Sequence, residues 1–116
     1  MDREIIIVLV PPGIERLDDV FCGCGLPDLA WQAIKEELDR VSQEHAKRSY
    51  LKDAGEWYVV AYLLDHLGLT EHGGSVGAAW LTIEGERALA FLNQWGTSWH
   101  ENNAVEFIDS KNCRLN

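Results

Sequence analysis

Residues 4–10 hold the unbroken aliphatic run Ile5-Ile6-Ile7-Val8-Leu9-Val10, closed by Pro11, Pro12 and Gly13. β-Branched residues dominate, the run is too short for a stable helix, and Pro-Pro-Gly stops it, so it predicts one buried strand. A loop with a short helical turn over about 14–21 is expected next, and Gly23, Gly25 and Pro27 punctuate the chain. Asp28 is placed to cap the following helix. Along that helix Trp31, Ile34, Leu38 and Val41 recur at three- and four-residue spacing, with Lys35, Glu36, Asp39 and Arg40 on the other side. The pattern predicts an amphipathic helix to about residue 45.

The second half changes character. With Asp53 as a second cap, residues 54–67 are apolar on almost every side, through Trp57, Tyr58, Val59, Val60, Ala61, Tyr62, Leu63 and Leu64. A helix of this kind is buried or covered by a partner. Gly68 suits the left-handed conformation that ends helices. Residues 69–71 then form a brief strand, Gly73 and Gly74 turn the chain, and residues 76–81 return beside it. Thr82 opens a last helix with Leu89, Phe91 and Leu92 on its apolar side, ending near Gly96. In the tail, 97–116, residues 104–108 are a candidate strand to pair with the N-terminal one.

At 116 residues, 47% hydrophobic and 25% charged, the chain is sized for one α+β domain, 1–116, with a real core. It shows no run of the ~18 apolar residues of a membrane span and no signal-peptide h-region, so a soluble cytoplasmic protein is expected. Three cysteines, Cys22, Cys24 and Cys113, are an odd set that suits a reducing compartment.

Leu64-x-x-Leu67-Gly68-Leu69-Thr70-Glu71, a Gly-rich tip, then Leu81-Thr82-x-x-Gly85 resembles the MarR- and PadR-type winged-helix regulators over residues 58–92. The resemblance implies a winged-helix-like core at about 28–96, with an added N-terminal strand and a C-terminal tail. It puts a recognition helix on 54–67 and a wing on 72–79. A recognition helix reads base edges and phosphates with Arg, Lys, Asn, Gln, Ser or Thr. This one offers Glu56, Asp65, His66 and its tyrosines, and the wing offers His72 and Ser75.

Charge sharpens the mismatch. Of a net −9, nearly all falls between residues 53 and 110, where nine acids face Arg87 alone. A phosphate backbone is repelled by such a surface. Lys47, Arg48 and Lys52 form the one basic cluster, a solvated helix-end face in the simplest reading and the phosphate contacts of a dimeric DNA-binding regulator in the competing one.

Chemistry-bearing motifs are sparse. Cys22-Gly-Cys24 lacks the usual spacing of zinc-ligand pairs and a second pair nearby, and His45, His66, His72 and His100 have no ligand spacing. Cys24 with His100 would be a nucleophile and base only if the fold joined them, and the third reading, a metal- or thiol-dependent enzyme, rests there. Glu84 and Glu86, two apart on a helix, point in different directions. The sequence therefore assigns no catalytic, cofactor or metal residue.

Five tryptophans stand in the chain. Trp31 and Trp57 read as core, Trp80 as one of the residues that hold the fold, with Leu64, Leu67, Leu69 and Leu81, and Trp95 and Trp99 as either core or interface. The candidate partner-binding set is Asp65, Glu71, Glu84, Glu86, Trp95, Trp99, Glu101 and Glu106. Its acids can mimic spaced phosphates against a basic, nucleic-acid-handling protein, with exposed aromatics as anchors. Small acidic inhibitors from mobile genetic elements, anti-CRISPR proteins among them, are similar in size and charge. The expectation is thus a non-enzymatic acidic inhibitor or adaptor.

Overall fold

A computed structural model describes residues 6–21, 27–43, 54–73, 79–102 and 104–109. The order is β1 (Ile6–Val10), α1 (Pro12–Phe21), α2 (Pro27–Ser42), α3 (Ala54–His66), β2 (Thr70–His72), β3 (Ala79–Leu81), α4 (Ile83–Trp95), a 3-10 turn (Trp99–Glu101) and β4 (Val105–Asp109). This is an α+β fold, and its helices and hairpin are compatible with a winged-helix-like core. β1 pairs in parallel with β4, Val8 opposite Phe107, and β2 pairs antiparallel with β3, Glu71 opposite Trp80. Among the described residues no helix is long and apolar enough to cross a membrane.

The first two helices depart from the sequence expectation. The short turn after Pro-Pro-Gly is a full helix, α1, because Pro12 occupies its first position, where a missing N–H costs nothing. Ile14 and Leu17 then enter the core fully buried. For the same reason α2 starts at Pro27, which places Asp28 inside the first turn instead of at the cap. α2 buries Trp31, Ile34, Leu38 and Val41 as their spacing predicts. It also buries an acid the pattern did not single out: Glu37, 2% exposed, accepts from Arg40 Nε at 3.0 Å and from Nη2 at 2.7 Å.

The junction between α3, the hairpin and α4 explains the glycine-leucine phrases physically. Gly68, at φ +81°, donates its N–H to the Asp65 carbonyl at 3.1 Å, and Leu69 donates to Leu64 at 2.9 Å. That pair of bonds is a Schellman closure, which satisfies carbonyls a helix end leaves open. Arg16 reaches over from α1 and donates to the Leu67 carbonyl at 3.0 Å. Thr82 N–H donates to Leu69 at 3.1 Å, fastening the start of α4 to the end of α3. Leu64 and Leu69, both fully buried, join one core with Ile14, Leu17, Leu38 and Leu92.

At the far end of α4 the core turns aromatic. Trp99 meets Trp31, Phe91 and Phe107 edge-on, at centroid separations of 5.7, 5.2 and 5.1 Å. Phe107 comes from β4, so the β1–β4 sheet closes this end of the core. Each edge-to-face pair adds about 0.5–1.5 kcal/mol beyond area burial.

Candidate functional site

The eight predicted partner-binding residues separate into two groups at opposite ends of α4. Glu84 and Trp95 are eleven residues apart on it, about 16 Å along the helix axis. Asp65, Glu71, Glu84 and Glu86 lie toward the hairpin end. Trp95, Trp99, Glu101 and Glu106 lie at the aromatic end.

Trp99 is a correction. It is 6% exposed and ringed by aromatic side chains, so it is part of the core and presents no ring to a partner. Its Nε1–H is buried with no hydrogen-bond acceptor. Trp95 is half-buried, its ring against Phe107 at 5.4 Å. Glu101 and Glu106 are exposed.

Trp80 is the reverse correction. It does not hold the hairpin from inside; it is 51% exposed, because strand alternation turns it away from the face that Ala79 and Leu81 share. Directly across the hairpin stands Glu71, also exposed. Trp80 lines a cleft of about 650 Å³ between the end of α2, β3 and α4, together with Val41, Leu81, Leu89, Asn93 and the exposed Glu86. Trp80 is common to two acidic surroundings: its exposed indole stands across the hairpin from Glu71, and it lines the groove together with Glu86.

The other two acids of the hairpin group are less free to engage a partner. Asp65 Oδ1 lies 3.1 Å from His72 Nδ1. Glu84 is half-buried, its Oε1 3.5 Å from Arg87 Nη1 and without a hydrogen bond. In the first turn of α4, Glu84 and Glu86 also complement the positive end of the helix dipole.

α3 is not buried all round. Ala61 and Leu64 face inward, while Tyr58, Val59 and Tyr62 are 48%, 68% and 48% exposed. The two tyrosine rings pack on one another at 4.8 Å, and their hydroxyls share a hydrogen bond at 3.4 Å. That bond favours the protonated Tyr62 and a Tyr58 phenolate would repel its charge, so the Tyr62 pKa lies above its ordinary value of 10.0.

At the aromatic end a second cleft, of about 440 Å³, gathers Glu15, Asp18 and Asp19 from α1 with His100 and Glu106. Burial and the neighbouring Asp19 push the Asp18 carboxyl above its ordinary 3.8, against a smaller lowering by His100. Sequence reasoning missed these α1 acids because it did not carry α1 through as a helix, so nothing placed them beside β4.

Cys22, Cys24, Cys113, Lys47, Arg48 and Lys52 lie outside the described residues, so the thiol, zinc and basic-cluster readings gain no structural context. No group of three or more His, Cys, Asp or Glu side chains is arranged to hold a metal ion among the described residues. No protein family, no curated protein and no solved structure matches this chain.

Proposed function

We propose that this protein is a non-enzymatic acidic binding protein, an inhibitor or adaptor, that covers a basic surface of a nucleic-acid-handling protein. The observation that carries the reading is the exposed Trp80, which stands opposite Glu71 on the hairpin and lines the α2–β3–α4 groove with Glu86. Magnitudes divide the labour. An exposed ion pair contributes only about 0.2–1 kcal/mol. A tryptophan desolvated at the centre of an interface contributes about 2 kcal/mol or more. Trp80 is thus the anchor, and the carboxylates steer a basic partner in and reject acidic ones.

The acid excess between residues 53 and 110 works over a longer range. It repels duplex DNA and raises the encounter rate with a basic channel. Occlusion of that channel is the mechanism.

Crosslinked capture from cells of the native host, comparing the chain with a Glu71→Lys/Glu86→Lys variant and with Trp80→Ala, tests the reading. The wild type is expected to retain a nucleic-acid-binding protein that both variants, folded by circular dichroism, release. Equal recovery of the same partner by all three overturns the assignment to this face.

A further inference from the structure

Among the described residues the β1–β4 sheet presents an apolar face and an open edge. Ile7 stands opposite Glu106 and Leu9 opposite Ile108, while Val8 and Phe107 pack against the core. Ile7 and Leu9 lie on the opposite face from Val8 and Val10, at 61% and 55% exposure, and Ile6 at the start of the strand is also exposed. Among the described residues β4 is the only strand beside β1, and no backbone bond outside that ladder uses residues 6–10. Parallel sheets are covered on both faces as a rule, and a two-stranded ribbon is marginal alone.

The two edges of this sheet are not equivalent. β1 reads Ile-Ile-Val-Leu-Val, with no charge, proline or glycine to discourage pairing. β4 carries Glu106 and Asp109 among its five residues. Two copies joined at β4 would gather four acidic residues, Glu106 and Asp109 of each copy, along one seam. Joined at β1, the two β4 strands are outermost, three strand spacings or about 14 Å apart. That exceeds the ~8 Å Debye length at physiological salt, so the like charges are screened.

An uncharged aliphatic strand is also its own complement. About a twofold axis, Ile, Val and Leu oppose Ile, Val and Leu in any antiparallel register, and no position asks for a group that a different sequence would supply. We propose that β1 pairs antiparallel with β1 of a second copy of this chain, giving a four-stranded sheet in the order β4-β1-β1-β4. Ile7 and Leu9 of the two copies then partly bury one another across the seam. A five-residue ladder is a small interface, so the dimer is reversible and forms in the micromolar range, on the order of 10⁻⁶–10⁻⁴ M.

Sedimentation velocity of the full chain, from low micromolar to the solubility limit, reads the dimer directly. Growth of a dimer boundary with concentration is expected, abolished in Ile7→Lys/Leu9→Lys, whose like charges would meet across the seam, and retained in Glu71→Lys/Glu86→Lys. Hydrogen exchange on the wild type supplies a readout independent of any variant. Amides of Ile6–Val10 should gain protection as concentration rises, with β4 unchanged. A monomer at every concentration, a dimer that survives the Ile7/Leu9 change, or protection that does not follow concentration overturns the proposal.

Discussion

The Thr82 hydroxyl donates to the Gly68 carbonyl at 2.6 Å while accepting the Gly85 N–H at 3.1 Å. One side chain thus caps α4 and ties it to the end of α3. Removing it leaves an α4 N–H and the Gly68 carbonyl without these partners. Thr82→Ala is expected to lower stability by about 1–2 kcal/mol in urea denaturation, and Thr82→Ser to recover most of it. Equal stability of the three proteins would contradict the role given to this hydroxyl.

Gly85 is the second lock of the same junction. A Cβ there would run into the Leu69 carbonyl and sit 3.2 Å from Leu81 Cδ2. Alanine is a better helix former by about 1 kcal/mol. The collision outweighs that gain because backbone cannot step aside. Gly85→Ala is expected to cost stability toward the upper end of about 1–3 kcal/mol. Gly73→Ala, where a Cβ meets nothing within 4 Å, is the control and should melt close to wild type.

Much of this junction was legible in the sequence, because a Schellman end and a threonine cap are local devices written in consecutive residues. The β1–β4 pairing was legible from two apolar runs, but the burial expected of β1 was not met: Ile6, Ile7 and Leu9 are exposed, because among the described residues nothing packs on that side of the sheet. The tryptophans were not legible. Burial of Trp99 depends on Phe107 arriving from a strand at the other side of the fold, and exposure of Trp80 depends on the phase of a three-residue strand. Neither is encoded in the neighbouring residues. α1 was hidden for a different reason, since Pro11-Pro12 reads as a stop when Pro12 is the first residue of a helix.

The two tryptophans should respond oppositely. Trp99→Ala empties an aromatic core position and is expected to cost about 3–5 kcal/mol. Trp80→Ala is expected to cost about 1 kcal/mol or less, as for a surface site, while losing partner capture. Thermal melts of both variants check this, and a Trp80→Ala as unstable as Trp99→Ala would remove Trp80 from the binding surface.

Asp18 gives a pH signature. Its folded pKa lies above 3.8, so its ionised form is disfavoured in the native state relative to the unfolded chain. The stabilising contribution of the raised pKa is therefore present below 3.8 and lost as pH rises through the folded value. Asp18→Asn is expected to be slightly more stable than wild type at pH 7, a small gain because the side chain is exposed. The advantage should fade on acidification and vanish below pH 3.8. A gain that persists in acid would point to a cause other than this carboxylate's charge.

An electrophoretic shift of random duplex DNA at low salt separates an acidic occluder from a DNA reader most directly. The chain alone is expected to leave the duplex unshifted, and, added to its captured partner, to abolish that partner's shift. A shift by the chain itself that weakens steeply with salt would mean that it binds phosphates, contradicting the acidic face as the binding surface.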